Sequence, residues 1–73
     1  MDELRKLLQN KYPDIDFEKE KKLLDDGILD SVEMVSIIAE IEDFFEISIT
    51  MEYIQPKYFQ SVETMWQMVE ELL

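Results

Sequence analysis

The stretch DDGILDSVEMV, residues 25–35, sets one serine directly behind an aspartate, where a strongly helical pattern begins. Two kinds of chemistry suit Ser31. A hydroxyl at a helix start can simply help to cap the first turn. It can also be held out as the acceptor of a phosphoryl group, ending as a phosphodiester. Three features serve the second role. Free N–H groups and the positive end of the helix dipole favour a phosphate there. A long preceding loop leaves the serine reachable. The acids that follow offer a docking ground for a basic modifying enzyme. The triplet D-S-V is too common to decide between the two roles alone.

Other chemistries are excluded by residue type. An EF-hand loop needs oxygen ligands at positions 1, 3 and 5, Gly at 6 and Glu at 12. With Gly27 at position 6, Glu33 falls at 12, but Lys22 and Leu24 occupy 1 and 3. Neither can ligate a cation. The chain has no cysteine and no histidine, which removes thiolate or imidazole zinc sites and imidazole-based triads. The remaining carboxylates lie on what reads as a solvated helix face, in a chain with little room for a substrate cavity. No enzyme activity is expected.

Charge narrows the partners. The formal net charge is -11. Nucleic acid is therefore not an expected ligand, since its phosphates are repelled. Residues 1–22 hold six bases and six acids, whereas residues 23–73 hold twelve acids and only Lys57. The whole imbalance lies in the part that begins at the quoted stretch. It is self-repelling within a small fold, and a basic partner surface would relieve it. At 47% hydrophobic residues, the chain is too apolar for a disordered acidic tail. No apolar run approaches the roughly 20 residues of a membrane span, and MDELRKLLQNK lacks the apolar centre of a signal peptide. A cytoplasmic location is expected.

The elements that must position Ser31 follow from spacing. Residues 2–11 read as a helix with Leu4, Leu7 and Leu8 on one face, stopped by Pro13. Residues 12–29 form a long connection carrying Ile15, Phe17, Leu23, Leu24, Ile28 and Leu29. A short helical turn is expected from about Phe17 or Glu18 to Leu24. Residues 31–45 are the strongest helix. Asp30 and Glu33 make a D-x-x-E capping box. Met34, Val35, Ile37, Ile38, Ile41 and Phe45 make its apolar stripe. Residues 47–49 read as a short extended run. Residues 50–60 contain Pro56 and cannot be one regular helix. Ser61 caps a last helix from Val62 to Leu73, with Val62, Met65, Trp66, Val69, Leu72 and Leu73 on its apolar face. The expected fold is all-α: a small antiparallel bundle of three or four helices with a long first loop, one domain over residues 1–73.

The pattern L-x-x-x-G-I-L-D-S-V-E-x-V, followed by I-I-x-x-I-E-D-x-F-x-I-x-I, resembles the acyl carrier proteins. The resemblance runs from about Phe17 to Leu73. It implies that Ser31, within the Asp30–Ser31–Val32 motif, carries a covalent 4′-phosphopantetheine arm. It implies core positions at Val35, Ile38, Ile41, Phe45, Ile47 and Ile49. It implies a partner face on the second helix, with acids at Glu33, Glu42 and Asp43 and apolar contacts at Val32, Val35 and Ala39. The implied partners are a phosphopantetheinyl transferase and an acyl- or aminoacyl-loading ligase or synthase with a basic docking surface. A monomer is expected, because a carrier shows one helix to several partners in turn. Ser36 and Phe44 depart from the family, which more often has acids there. The motif G-I-L-D-S, and the eleven residues Thr50 to Gln60 before the last helix, bring the chain closer to the D-alanyl carrier proteins. A stand-alone biosynthetic acyl carrier is the neighbouring expectation. An acidic helical interaction module without a prosthetic group is the alternative from a different class.

Overall fold

The computed structural model describes residues 1–73, with three α-helices and two 3-10 turns and no strand. Helix α1 spans Asp2–Lys11, α2 spans Ser31–Phe45 and α3 spans Val62–Leu72. The all-α class holds. The turns Met51–Tyr53 and Pro56–Tyr58 occupy the segment that Pro56 denies to a continuous helix. No helix is long and apolar enough to cross a membrane.

Fourteen buried apolar side chains form one cluster. Leu4 and Leu8, one turn apart, bring α1 into it. Ile37, Ile38 and Ile41 bring α2, and Val62, Met65, Met68 and Val69 bring α3. The connections supply the rest: Phe17, Leu23 and Leu29 before α2, Ile49 and Phe59 after it. Trp66 meets the cluster's edge, its ring 5.9 Å from that of Phe45.

Three expectations need correction. Val35 does not belong to the core and is 60% exposed. On a helix of 3.6 residues per turn it falls about 120° from Ile41, at the margin of the stripe. Leu73 lies beyond the end of α3 and is exposed, while Met68, one turn before Leu72, is buried in its place. The expected helical turn does not run through residues 17–24. The chain makes two separate turns there, over 17–19 and 23–27. Asp16 explains the first, because its carboxylate accepts from the N–H of Glu18 and Lys19 at 3.1 and 3.3 Å. These bonds cap a single helical turn, in which the Glu20 N–H donates to the Asp16 carbonyl at 3.0 Å.

The long connection is fastened at its start. The Gln9 side-chain amide donates to the carbonyl of Ile15 at 2.7 Å, folding the exit from α1 back on the helix. At its end, Gly27 adopts φ +73°. A Cβ there would meet nothing within 4 Å, so backbone conformation and not space calls for glycine.

Helix α2 stops at Glu46, the one non-glycine residue with positive φ, at 54°. The left-handed conformation turns the next N–H, that of Ile47, back to the carbonyl of Glu42 at 3.2 Å. An L side chain is disfavoured there, and glycine is the usual occupant. Glu46→Gly should therefore stabilise the fold by about 0.5–1 kcal/mol, seen as a higher urea midpoint at unchanged slope. Glu46→Gln removes the charge but keeps the Cβ and should gain less. A lower midpoint for the glycine variant would show that the Glu46 side chain contributes more than the relieved backbone.

Candidate functional site

Ser31 is the first residue of α2 and is exposed. Its hydroxyl takes no part in the cap. The Asp30 carboxylate accepts from the Glu33 N–H at 2.8 Å, and the Glu33 carboxylate accepts from the Asp30 N–H at 3.3 Å. This reciprocal pair starts the helix. The N–H groups of Ser31 and Val32 have no partner within the helix. They give the first turn its partial positive charge, worth about 0.3–1 kcal/mol to a nearby anion. The Asp30 and Glu33 carboxylates, in the same turn, act against that term.

Beside Ser31 lies a cleft of about 380 Å³. Three segments form it. The turn before α2 supplies Leu24, Asp25, Gly27 and Leu29, the helix start supplies Asp30, Ser31 and Met34, and the second 3-10 turn supplies Pro56. Its wall is thus partly apolar, with two carboxylates at Asp25 and Asp30.

The residues expected on the partner face separate into two sets. Val32, Val35, Ala39 and Asp43 are all exposed and recur at three- and four-residue spacing, so they share the outward face of α2. Val32 is 78% exposed. Glu33 and Glu42 are different. Glu33 is half-buried and serves the cap. Glu42 is half-buried and turned toward the following loop, where its carboxylate accepts from the Ile49 N–H at 2.8 Å. Glu40 reaches Lys11 of α1 at 3.7 Å. Much of the acidity of α2 is therefore answered within the chain.

Gln60 joins the site unannounced by any motif. Its side-chain carbonyl accepts from the N–H of both Leu24 and Asp25, each at 3.1 Å. Its amide nitrogen donates to the Asp25 carboxylate at 3.1 Å. Pro56 and Gln60 lie 29 and 35 residues from Gly27 and Asp25 in the chain, and spacing alone gives no signal for such a meeting. Nearby, Lys21 Nζ stands 2.8 Å from Glu63 Oε2. The Lys21 ammonium, and then Glu63's own first-turn N–H, hold the Glu63 carboxyl below its ordinary 4.5.

Comparison with protein-family models, curated proteins and solved structures gives no significant match to this chain.

Two outcomes are expected from this geometry. Val35→Ser should change stability by no more than about 0.5 kcal/mol, as for other surface positions. Ile41→Ala, in the core, should cost about 2–5 kcal/mol. Urea melts of the two variants check the assignment of faces, and equal losses would contradict it. The second outcome concerns pH. A carboxyl whose folded pKa lies below 4.5 contributes fully above about pH 4.5 and loses that contribution as pH falls through its folded value. Glu63→Gln should flatten the fall in stability below pH 4.5 by less than about 1 kcal/mol, since the pair is solvent-screened. An unchanged acid limb would show that the Lys21 contact stabilises nothing.

Proposed function

We propose that the chain is a phosphopantetheine-dependent carrier, and not itself an enzyme. One observation carries the reading: the hydroxyl of Ser31 stands exposed at the first turn of α2 while Asp30 does the capping. A serine needed only to start the helix would have its oxygen on a backbone N–H, as Ser61 does in α3 at 3.2 Å from the Thr64 N–H.

The residues present fit a covalent arm. Ser31 Oγ would hold it through a phosphodiester. The unpaired N–H groups of Ser31 and Val32 lie on the side that favours the phosphate's charge. Leu24, Leu29 and Met34 line the adjoining cleft with apolar surface. When bound, 4′-phosphopantetheine supplies the thiol that this cysteine-free chain lacks, so that an acyl or aminoacyl cargo is kept as a thioester. The protein's own part is to keep Ser31 accessible and to offer docking surface beside it. Val32, Val35 and Ala39 give that surface apolar contact, and Asp43 gives it charge. The partners are a phosphopantetheinyl transferase and a loading ligase or synthase, each with a basic docking surface.

The two 3-10 turns stand where a carrier bundle would have a short extra helix. The eleven-residue segment that contains them, and the motif G-I-L-D-S, favour a D-alanyl-type carrier over a fatty-acid one. The exposed Val32–Val35–Ala39 face also favours a second reading. An acidic interaction module with no prosthetic group would present the same face to a basic partner.

The deciding experiment is an intact mass after incubation with coenzyme A, magnesium and several unrelated phosphopantetheinyl transferases. The wild type should gain one phosphopantetheinyl group and Ser31→Ala none. No gain with any transferase would sink the carrier reading and leave the interaction module.

A further inference from the structure

The connection before α2 has no helix, yet it ends in a turn of defined shape. Within it, the Asp26 N–H donates to the Lys22 carbonyl at 2.8 Å and the Gly27 N–H to the Leu24 carbonyl at 3.1 Å. The Leu29 N–H closes the turn on the Leu23 carbonyl at 3.0 Å. Asp30 and Ser31 follow directly. Leu23 and Leu29 anchor the ends of the turn in the core. Between them, Leu24 and Asp25 form the wall of the cleft beside Ser31.

That wall is held by Gln60. The Gln60 carbonyl accepts from the Leu23 N–H at 2.9 Å, and its side chain makes the three bonds to Leu24 and Asp25 described above. Four hydrogen bonds therefore run from one residue to three successive residues of the turn. The side-chain chemistry is specific. The group must accept two N–H donors and also donate to a carboxylate. An amide of glutamine length does both, a carboxylate cannot donate and an ammonium cannot accept.

The geometry points to Gln60 as a positioning residue for the modification of Ser31. This rests on the carrier reading. In the reaction, Ser31 Oγ forms a bond to the β-phosphorus of coenzyme A. The bond from that phosphorus to the bridging oxygen breaks, adenosine 3′,5′-bisphosphate leaves, and the Ser31 proton passes to a base of the transferase. Gln60 touches none of these atoms. It fixes the Leu23–Leu29 turn so that the transferase meets Ser31 and its flanking wall already ordered. A turn released from Gln60 has to be ordered during the encounter, and that entropy weakens binding without changing the chemical step.

The test is steady-state transfer from coenzyme A to wild type, Gln60→Ala, Gln60→Glu, Asp25→Asn and the double variant Gln60→Glu with Asp25→Asn. Circular dichroism and urea melts accompany each variant. Gln60→Ala should raise the KM for the carrier about tenfold, the fold-change that corresponds to ordering about one further residue. Its kcat should stay within about twofold, because no reacting atom is contacted. Amide hydrogen exchange at Leu24 and Asp25 should quicken in the same variant. Gln60→Glu keeps the acceptor but faces Asp25 with a like charge, so its KM should rise at neutral pH. Adding Asp25→Asn restores a donor–acceptor pair with the roles reversed and should lower the KM to that of Asp25→Asn alone. Asp25→Asn alone keeps an acceptor for the Gln60 amide, so its amide exchange at Leu24 should match the wild type. If Gln60→Ala does not fold, the Gln60→Glu variant and its rescue decide the matter. An unchanged KM despite faster exchange would overturn the positioning role while leaving the carrier reading intact. A KM that rises in Gln60→Glu and is not recovered by Asp25→Asn would likewise overturn it. A wild type that no transferase modifies would remove both.

Discussion

The Asp30–Glu33 capping box fixes where α2 begins, and the geometry of the site is measured from that point. The two reciprocal bonds satisfy the Glu33 N–H at the helix start and the N–H of Asp30 itself. Because the cap sits at Asp30, Ser31 becomes the first helical residue, and its side chain is left over. The same register turns Ile37, Ile38 and Ile41 inward and Val32, Val35 and Ala39 outward. A start displaced by one residue would rotate every one of these positions by about 100°.

A cap of this kind works only if the chain arrives from a fixed direction. Nothing helical guides it, since residues 12–30 contain no helix. Two buried leucines do so, one at each end of the last turn, and Gln60 holds the span between them. Gln60 is itself held, because Phe59 on one side is fully buried and Ser61 on the other caps α3. The start of α2 is thus tied to the start of α3 through one amide side chain and one backbone bond. The Lys21–Glu63 pair adds a screened contact along the same seam. The cleft by Ser31 is the space left where the turn before α2, the start of α2 and the second 3-10 turn approach without filling it.

Much of this was legible in the sequence, and the reasons differ by element. Both capping boxes rest on bonds between residues three apart, so local spacing revealed Asp30 with Glu33 and the N-cap at Ser61. Proline marked the end of α1 and the break at Pro56 for equally local reasons. The margins of helical faces were harder. Val35 is as apolar as its neighbours, and only the packing of α1 and α3 determines how wide a stripe is covered. Met68 and Leu73 exchanged places for a similar reason, since the last residue of a helix lies beyond the layer it packs on. The clamp by Gln60 was out of reach. A glutamine has no preferred partner at a distance of 35 residues, and its role exists only once the turn is folded against it.

The acidity takes on a different meaning once each charge is placed. The formal charge of -11 acts at long range, where it attracts a basic surface as a whole and weakens with salt. At short range several of the α2 acids are already committed. Glu33 serves the cap, Glu42 serves the Ile49 N–H and Glu40 faces Lys11. Asp43 is the exposed acid in line with the outward apolar residues, three turns along from Val32. A partner docking along α2 therefore meets hydroxyl, two valines, alanine and carboxylate in that order. Apolar contact lies next to Ser31, and a point charge marks the far end. Such an order fixes direction as well as affinity, since a partner base that pairs with Asp43 places the rest of its surface toward Ser31. For the proposed carrier, net charge would bring a basic partner in, and the sequence of groups along one helix face would determine which way round it sits.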